Sequence, residues 1–257
     1  MPKISVVIIT LNEEANIGRC IDSVEDVADE IVVVDSYSTD KTEEIAKTKG
    51  AKFILNKFED YVKQHEFANT QASYDLILSL DADEALSDDL RESIINVKKY
   101  WKHDGYSMNR KTNYCGKWIN HSGWYPDIKL RLYDRRKGKW TGQKIHERFS
   151  LFEGSTKGHM KGDLLHYSFN SITQHVNQAN KFTDLTAQAA FENGKKSSMF
   201  KIIFNPVLKF IRDYFFNLGF LDGYYGFVVC QISANATFLK YVKLKQLNKS
   251  SKTLQTH

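Results

Sequence analysis

The apolar run Ile4–Thr10 is too uniform for a half-exposed strand and suits a parallel strand covered on both faces. A helix follows, with Ile17, Cys20, Ile21 and Val24 at helical spacing. The pattern then repeats. A strand over Glu30–Asp35 precedes a short helix over Thr42–Thr48 that carries Ile45 and Ala46. A strand over 51–56, a helix over about 60–72 and an apolar strand ending at Asp81 complete the series. Alternation at this interval calls for a parallel sheet with right-handed crossovers.

Between about 100 and 150 the pattern changes. All four tryptophans (Trp101, Trp118, Trp124, Trp140) fall there, and short runs such as residues 129–133 alternate with turn residues, as in antiparallel strands. Aromatic faces stack well on sugar rings, but core packing explains most aromatics equally well. Trp124 and Tyr125, between Gly123 and Pro126, are the best placed for acceptor contact. Beyond about 170 the chain reads as helical: residues 174–191 form one helix, and Asn205-Pro206 starts another. The second has Phe204, Val207, Leu208, Ile211, Phe215 and Leu218 on one face and Lys209 and Arg212 opposite. Such a face either packs on the body or lies on an anionic membrane. Residues 223–239 are uncharged but short for a membrane span, and read as a core or interfacial segment. Residues 240–257, with five lysines and no acid, read as a disordered tail.

Charge sharpens this division. From Lys195 onward ten Lys/Arg face two Asp, whereas the first 194 residues hold 26 basic and 29 acidic groups. A slightly acidic body with a basic end suits a catalytic domain joined to a surface-docking segment. A pocket of acidic residues on that body argues against nucleic acid as partner. Three scattered cysteines, Cys20, Cys115 and Cys230, suggest a reducing compartment without a disulfide framework.

The chemistry gathers at the strand ends. Asp81-Ala82-Asp83-Glu84 closes a buried strand, and paired carboxylates there are costly to desolvate without a cation. Such hard oxygen ligands suit Mg²⁺ or Mn²⁺ held jointly with substrate phosphates. Thr10-Leu11-Asn12-Glu13 ends the first strand and the run from Asp35 to Asp40 ends the second, so parallel topology brings three polar clusters to one edge, where open α/β sheets bind ligands. Other enzyme signatures fail: neither His146-Glu147 nor His65-Glu66 has a second His at the zinc-protease interval, and there is no Gly-x-x-x-x-Gly-Lys-Ser/Thr loop or Gly-x-Ser-x-Gly elbow.

The chain resembles the family 2 glycosyltransferases of the GT-A fold, particularly the lipopolysaccharide-core β-glucosyltransferase branch. The matching segments are SVVIITLNEE (5–14), IVVVDSYSTD (31–40), LSLDADE (78–84), RLY (131–133), IHE (145–147), LHYS (165–168) and GFLDGYYG (219–226), spread over residues 2–245. The implied fold is α/β, a Rossmann-like mostly parallel sheet flanked by helices, with a helical C-terminal appendage. The expected layout is a catalytic domain over 1–170, its nucleotide-sugar half 1–99 and its acceptor half 100–170. A helical region over 171–245, suited to membrane docking, and a disordered basic tail over 246–257 follow.

The resemblance also implies roles. Thr10, Asn12, Glu13, Asp35, Ser36, Ser38, Asp40, Gln64, Asp81 and Ala82 would line the pocket of a UDP-sugar. Asp81, Asp83 and His166 would hold the divalent metal. The branch usually has Gln-Lys where this chain has Gln64-His65, so either His65 substitutes as a weaker cation or Lys63 reaches in. Glu147 would be the base that takes the acceptor proton, with His146 beside it and Asp127 in reserve. Arg131 would join Trp124 and Tyr125 on the acceptor side.

The expected activity is metal-dependent, inverting transfer of a hexose, glucose first among them, from a UDP-sugar to a lipopolysaccharide-core or other lipid-linked saccharide. The expected location is peripheral, on the cytoplasmic face of a bacterial inner membrane. The alternatives are a nucleotidyltransferase acting on sugar phosphates, for which Asn12-Glu13-Glu14 has the wrong charge to bind a triphosphate, or a non-catalytic basic module for membrane or nucleic acid.

Overall fold

All seven residues of β1 (Ile4–Thr10) are buried, the consequence of helices covering both faces of the sheet around it. The computed structural model describes residues 1–142 and 147–254, with side chains through residue 250. After β1 come α1 (Ile17–Val24), β2 (Glu30–Asp35), α2 (Thr42–Thr48), β3 (Lys52–Leu55), α3 (Tyr61–Gln71), β4 (Leu76–Asp81), β5 (Glu84–Leu86) and α4 (Asp88–Lys99). The middle of the chain holds β6 (Gly105–Tyr114), β7 (Lys117–Trp118), β8 (Asp127–Asp134), β9 (Gly138–Thr141), β10 (Arg148–Leu151) and β11 (Lys157–Phe169). Three helices follow: α5 (Ile172–Glu192), α6 (Met199–Ile211) and α7 (Gly223–Leu254).

The main sheet runs β3-β2-β1-β4-β8-β6-β11-β5, with β7 on β6, while β9 and β10 form a separate ribbon. β3, β2, β1 and β4 are mutually parallel, whereas β8 pairs antiparallel with both β4 and β6, and β11 pairs antiparallel with β5. The parallel half matches the regular alternation in sequence. Ile17, Cys20, Ile21 and Val24 all point into the core from α1, as their spacing predicts. Gly162 in β11 has φ +96, and a Cβ there would lie 2.3 Å from the Leu90 amide nitrogen, so only glycine lets this strand pass the start of α4.

The chain divides into two compact units, Met1–Lys111 with Asp127–Tyr167, and Thr112–Pro126 with Ser168–His257. This differs from a boundary at 170, because the loop 112–126 belongs with the C-terminal helices. The reason is Asp222, buried at 4% exposure, which accepts from the Asn120 and His121 amides at 3.0 and 2.9 Å.

Two expectations for the C-terminal region are corrected. α6 begins at Met199, capped by Ser198, whose hydroxyl accepts from the Lys201 amide; Pro206 therefore lies inside the helix, not at its start. The tail expected to be disordered continues instead as helix α7 to Leu254. Leu244 is buried against Ala187 and Ala190 of α5, with Tyr241 and Leu247 beside it, so an apolar stripe underlies the lysines. Among the described residues no helix is long and apolar enough to cross a membrane.

Candidate functional site

The register places the ends of the parallel strands side by side: Thr10 pairs with Asp35, and Ile9 with Asp81. Side chains then lace the loops that follow. Asn12, at φ 54, donates its amide to Ser38 Oγ at 2.7 Å and accepts at Oδ1 from the Thr39 amide at 2.8 Å. Asp35 is buried, and its oxygens accept from the Ser38 hydroxyl and amide at 2.5 and 2.7 Å. Asp40 uses both oxygens within the loops, one on the Glu14 amide at 3.0 Å and the other on the Thr42 hydroxyl at 2.5 Å. Ser38 and Asp40 thus tie the loops after β1 and β2 together. Ser36 accepts at 3.1 Å from Gln64, which in turn accepts at 2.8 Å from Asn56. Thr10 Oγ1 is buried with no hydrogen-bond partner among the described residues.

At the acidic tip the two aspartates part ways. Asp81 accepts from Arg131 Nη2 at 2.7 Å, and the same guanidinium reaches Glu84 Oε1 at 3.1 Å. Arg110 joins them, donating to Glu84 at 3.2 Å and to Asp127 through Nη2 at 2.7 Å. Glu84 closes the turn by accepting from the Asp81 amide at 3.0 Å. Although burial alone would raise the Asp81 pKa, Arg131 and its neighbours hold it well below the usual carboxylate range. An arginine of the chain therefore neutralises Asp81 in this structure. Arg131 itself is only 4% exposed, a buried counter-charge to Asp81 and Glu84.

Arg131→Met would strand two carboxylates that now share it. A loss of about 3–5 kcal/mol in folding stability is expected. Denaturant unfolding checks this, and an unchanged midpoint would mean that Asp81 and Glu84 find compensation elsewhere.

Asp83 faces another way. Pairing of His166 with Glu84 across β11 and β5, and the Tyr167 amide on the Asp83 carbonyl at 2.9 Å, bring Asp83 Oδ2 to 3.2 Å from His166 Nε2. Both side chains are partly exposed, at 22% and 14%. Glu13 is close enough to respond to both: burial, then the charges of Asp83 and Asp40, raise its pKa, against an opposing effect of Asn16 and His166. Ala82 is buried, with its amide on the Ile9 carbonyl at 3.1 Å.

His65 is fully buried, stacked on Trp140 at 3.8 Å, with Nδ1 3.2 Å from Ser79 Oγ and Nε2 3.6 Å from Asp81. Burial pushes its pKa down to about 3, so the ring is neutral. Lys63 is ion-paired with Glu59 on the surface.

Glu147 and Asp127 differ in basicity. Burial, together with the charge of Asp81, raises the Glu147 pKa despite Arg131 and Lys129. For Asp127 the effect of burial is outweighed by Arg110 and Lys129, which hold it low. His146, the expected neighbour of the base, lies outside the described residues. Trp124 packs edge-on against Tyr114 and His175 within the second unit, and Tyr125 follows it there. Arg110 and Tyr61 were not singled out from sequence; the Tyr61 hydroxyl pKa is raised by partial burial and then by Asp81, Glu147 and Asp83.

Comparison with known proteins adds to this geometry. The glycosyl transferase family 2 profile matches residues 5–155. The lipopolysaccharide core biosynthesis glycosyltransferase LpsC of Rhizobium meliloti is 33% identical, over 96% of this chain and 94% of that one. An uncharacterized glycosyltransferase of Rickettsia typhi is 34% identical, over 99% of this chain and 90% of that one. Glucosyl-3-phosphoglycerate synthase from Mycobacterium tuberculosis, crystallised with Mn²⁺, UDP and glucosyl-3-phosphoglycerate, is 24% identical over 44% of each chain at a TM-score of 0.37.

Proposed function

We propose that this chain, which belongs to glycosyl transferase family 2, transfers a hexose, with glucose the first candidate, from a UDP-sugar to a hydroxyl of a lipopolysaccharide-core or similar lipid-linked saccharide, with inversion at the anomeric carbon. The acceptor class follows the relative from Rhizobium meliloti, and a peripheral place on the cytoplasmic face of the inner membrane goes with it.

The observation that carries the reading is the Asp83–His166 pair beside the strand ends. Two donors at right angles around an ion with bonds of about 2.1 Å stand about 3.0 Å apart, so a separation of 3.2 Å fits Asp83 and His166 as neighbouring ligands of Mg²⁺ or Mn²⁺. Such an ion is usually held by one or two protein ligands, with substrate phosphate and water completing its shell. A divalent ion bound there would act as a Lewis acid, neutralising the leaving diphosphate.

The chain's own groups do the rest. Thr10, Asp35 and Ser36 line the nucleotide pocket, with Asn12 and Ser38 fixing its wall. Arg131 keeps Asp81 ionised and in place. Glu147 accepts the proton of the acceptor hydroxyl as that oxygen bonds to the anomeric carbon and the bond to UDP breaks. Its raised pKa brings it nearer the operating pH than Asp127, which favours it as the base.

A thermal-shift panel of nucleotide sugars with and without Mn²⁺ tests the donor. A UDP-hexose is expected to raise the melting temperature in the presence of Mn²⁺, with about 2.7 kcal/mol of stabilisation at a hundredfold excess over Kd. An equal shift in EDTA would remove the metal from the scheme, and a response only to another nucleotide would replace the donor.

A further inference from the structure

The apolar face of α6 points outward. Phe200, Ile203, Phe204, Val207 and Leu208 are 64%, 53%, 47%, 53% and 60% exposed, and Ile202 is the residue of this helix that is buried. Their spacing puts all five on one stripe. The turns after α6 extend it with Phe215, Phe216 and Leu221, at 55%, 78% and 58% exposure. A groove of about 500 Å³ between α6 and α7, lined by Ile202, Ile203, Pro206, Val207, Phe210 and Phe238 among others, leaves the seam open. Side chains of this kind are seldom left in water over such a stretch unless something covers them.

Charge identifies the cover. From residue 195 to 250 the only carboxylates, Asp213 and Asp222, are both buried, at 1% and 4% exposure. Asp213 is paired with Lys209 and Arg212, and Asp222 holds the loop at Asn120 and His121. The segment therefore shows water its cations, including Lys196, Lys201 and Arg212 next to the apolar stripe, and no carboxylate. A second copy of the same face would set those cations against each other. An anionic bilayer would satisfy both features, its acyl region taking the phenyl and aliphatic groups and its headgroups the lysines.

We infer that α6 and the turns that follow it form a monotopic docking surface for anionic phospholipid membrane, lying in the interface without crossing it. This specifies the membrane contact in the functional reading, but it rests on the C-terminal unit alone. Vesicle binding needs neither donor nor acceptor, so its failure would leave the catalytic reading untouched.

The test is flotation of the full-length protein with phosphatidylcholine vesicles, with and without phosphatidylglycerol. The wild-type protein is expected to bind the anionic vesicles in a salt-sensitive manner. Phe204→Glu with Leu208→Glu, both exposed positions, should cut partition at least about tenfold while circular dichroism is unchanged. Lys196→Glu with Lys201→Glu should weaken anionic binding selectively. Absence of wild-type binding, equal binding to neutral vesicles, or partition unaffected by the Glu pair would overturn the inference. So would a Glu pair whose sole effect is to dissociate a dimer in sedimentation, which would assign the face to a second copy.

Discussion

Asp83→Ala lowers donor turnover by about two to four orders of magnitude, the expected result of removing a ligand whose ion would supply several kcal/mol of charge stabilisation. The fold should survive. Asp83 is partly exposed and stands apart from the contacts of Arg131, so the melting temperature without ligand should stay close to that of the wild type. What disappears is the Mn²⁺-dependent part of UDP stabilisation. A variant with wild-type turnover, or one that still gains stability from Mn²⁺ and UDP together, would take the metal role away from Asp83. Asp81→Ala should behave differently, because it removes one of the two carboxylates that pair with the buried Arg131 and so loses stability before any ligand is added.

Glu147→Gln is expected to bind UDP almost normally and to turn over about two to four orders of magnitude more slowly. The pH profile separates a proton acceptor from a bystander. A raised pKa means that Glu147 becomes the competent carboxylate only above that value, so turnover falls as pH drops through it. The acid limb should thus lie above the ordinary Glu value of about 4.3 and vanish in the Gln variant. If turnover is unchanged, Asp127 becomes the next candidate. It starts at a disadvantage, since Arg110 and Lys129 hold its pKa low.

The parallel half of the fold was legible because each of its elements obeys a local rule. β1, β2 and α2 have the bounds that their apolar runs indicate, and the strand ends meet as parallel pairing requires. The C-terminal helices were harder to read. Asn205-Pro206 imitates a helix start, yet Ser198 caps the real one and the apolar stripe begins at Phe200. The lysines from 240 onward hid the Tyr241, Leu244 and Leu247 side that packs on α5. Both misreadings weighed a local signal above tertiary contact.

The candidate site divides along the same line. The carboxylates at the strand ends and their convergence could be read from spacing, and His166 from resemblance. The partners of Asp81 and Glu84 could not. Arg131 lies 50 residues from Asp81, and Arg110 lies 26 from Glu84, with the antiparallel strands β6 and β8 bringing both arginines in. Desolvation of Asp81 was rightly expected to demand a positive charge, but nothing local distinguishes a bound ion from a guanidinium. His65 shows the same dependence on distant groups: whether a histidine is charged depends on what surrounds it, and here that is Trp140, Ser79 and Asp81.

The guanidinium of Arg131 has a bearing on how the enzyme cycles. With a permanent positive group built in beneath the tip, departure of product leaves no bare pair of anions to repel each other and spring the turn apart. On the proposed reading, the turn would hold one shape before and after a donor binds, with Arg131 paired to Asp81 and Glu84 throughout.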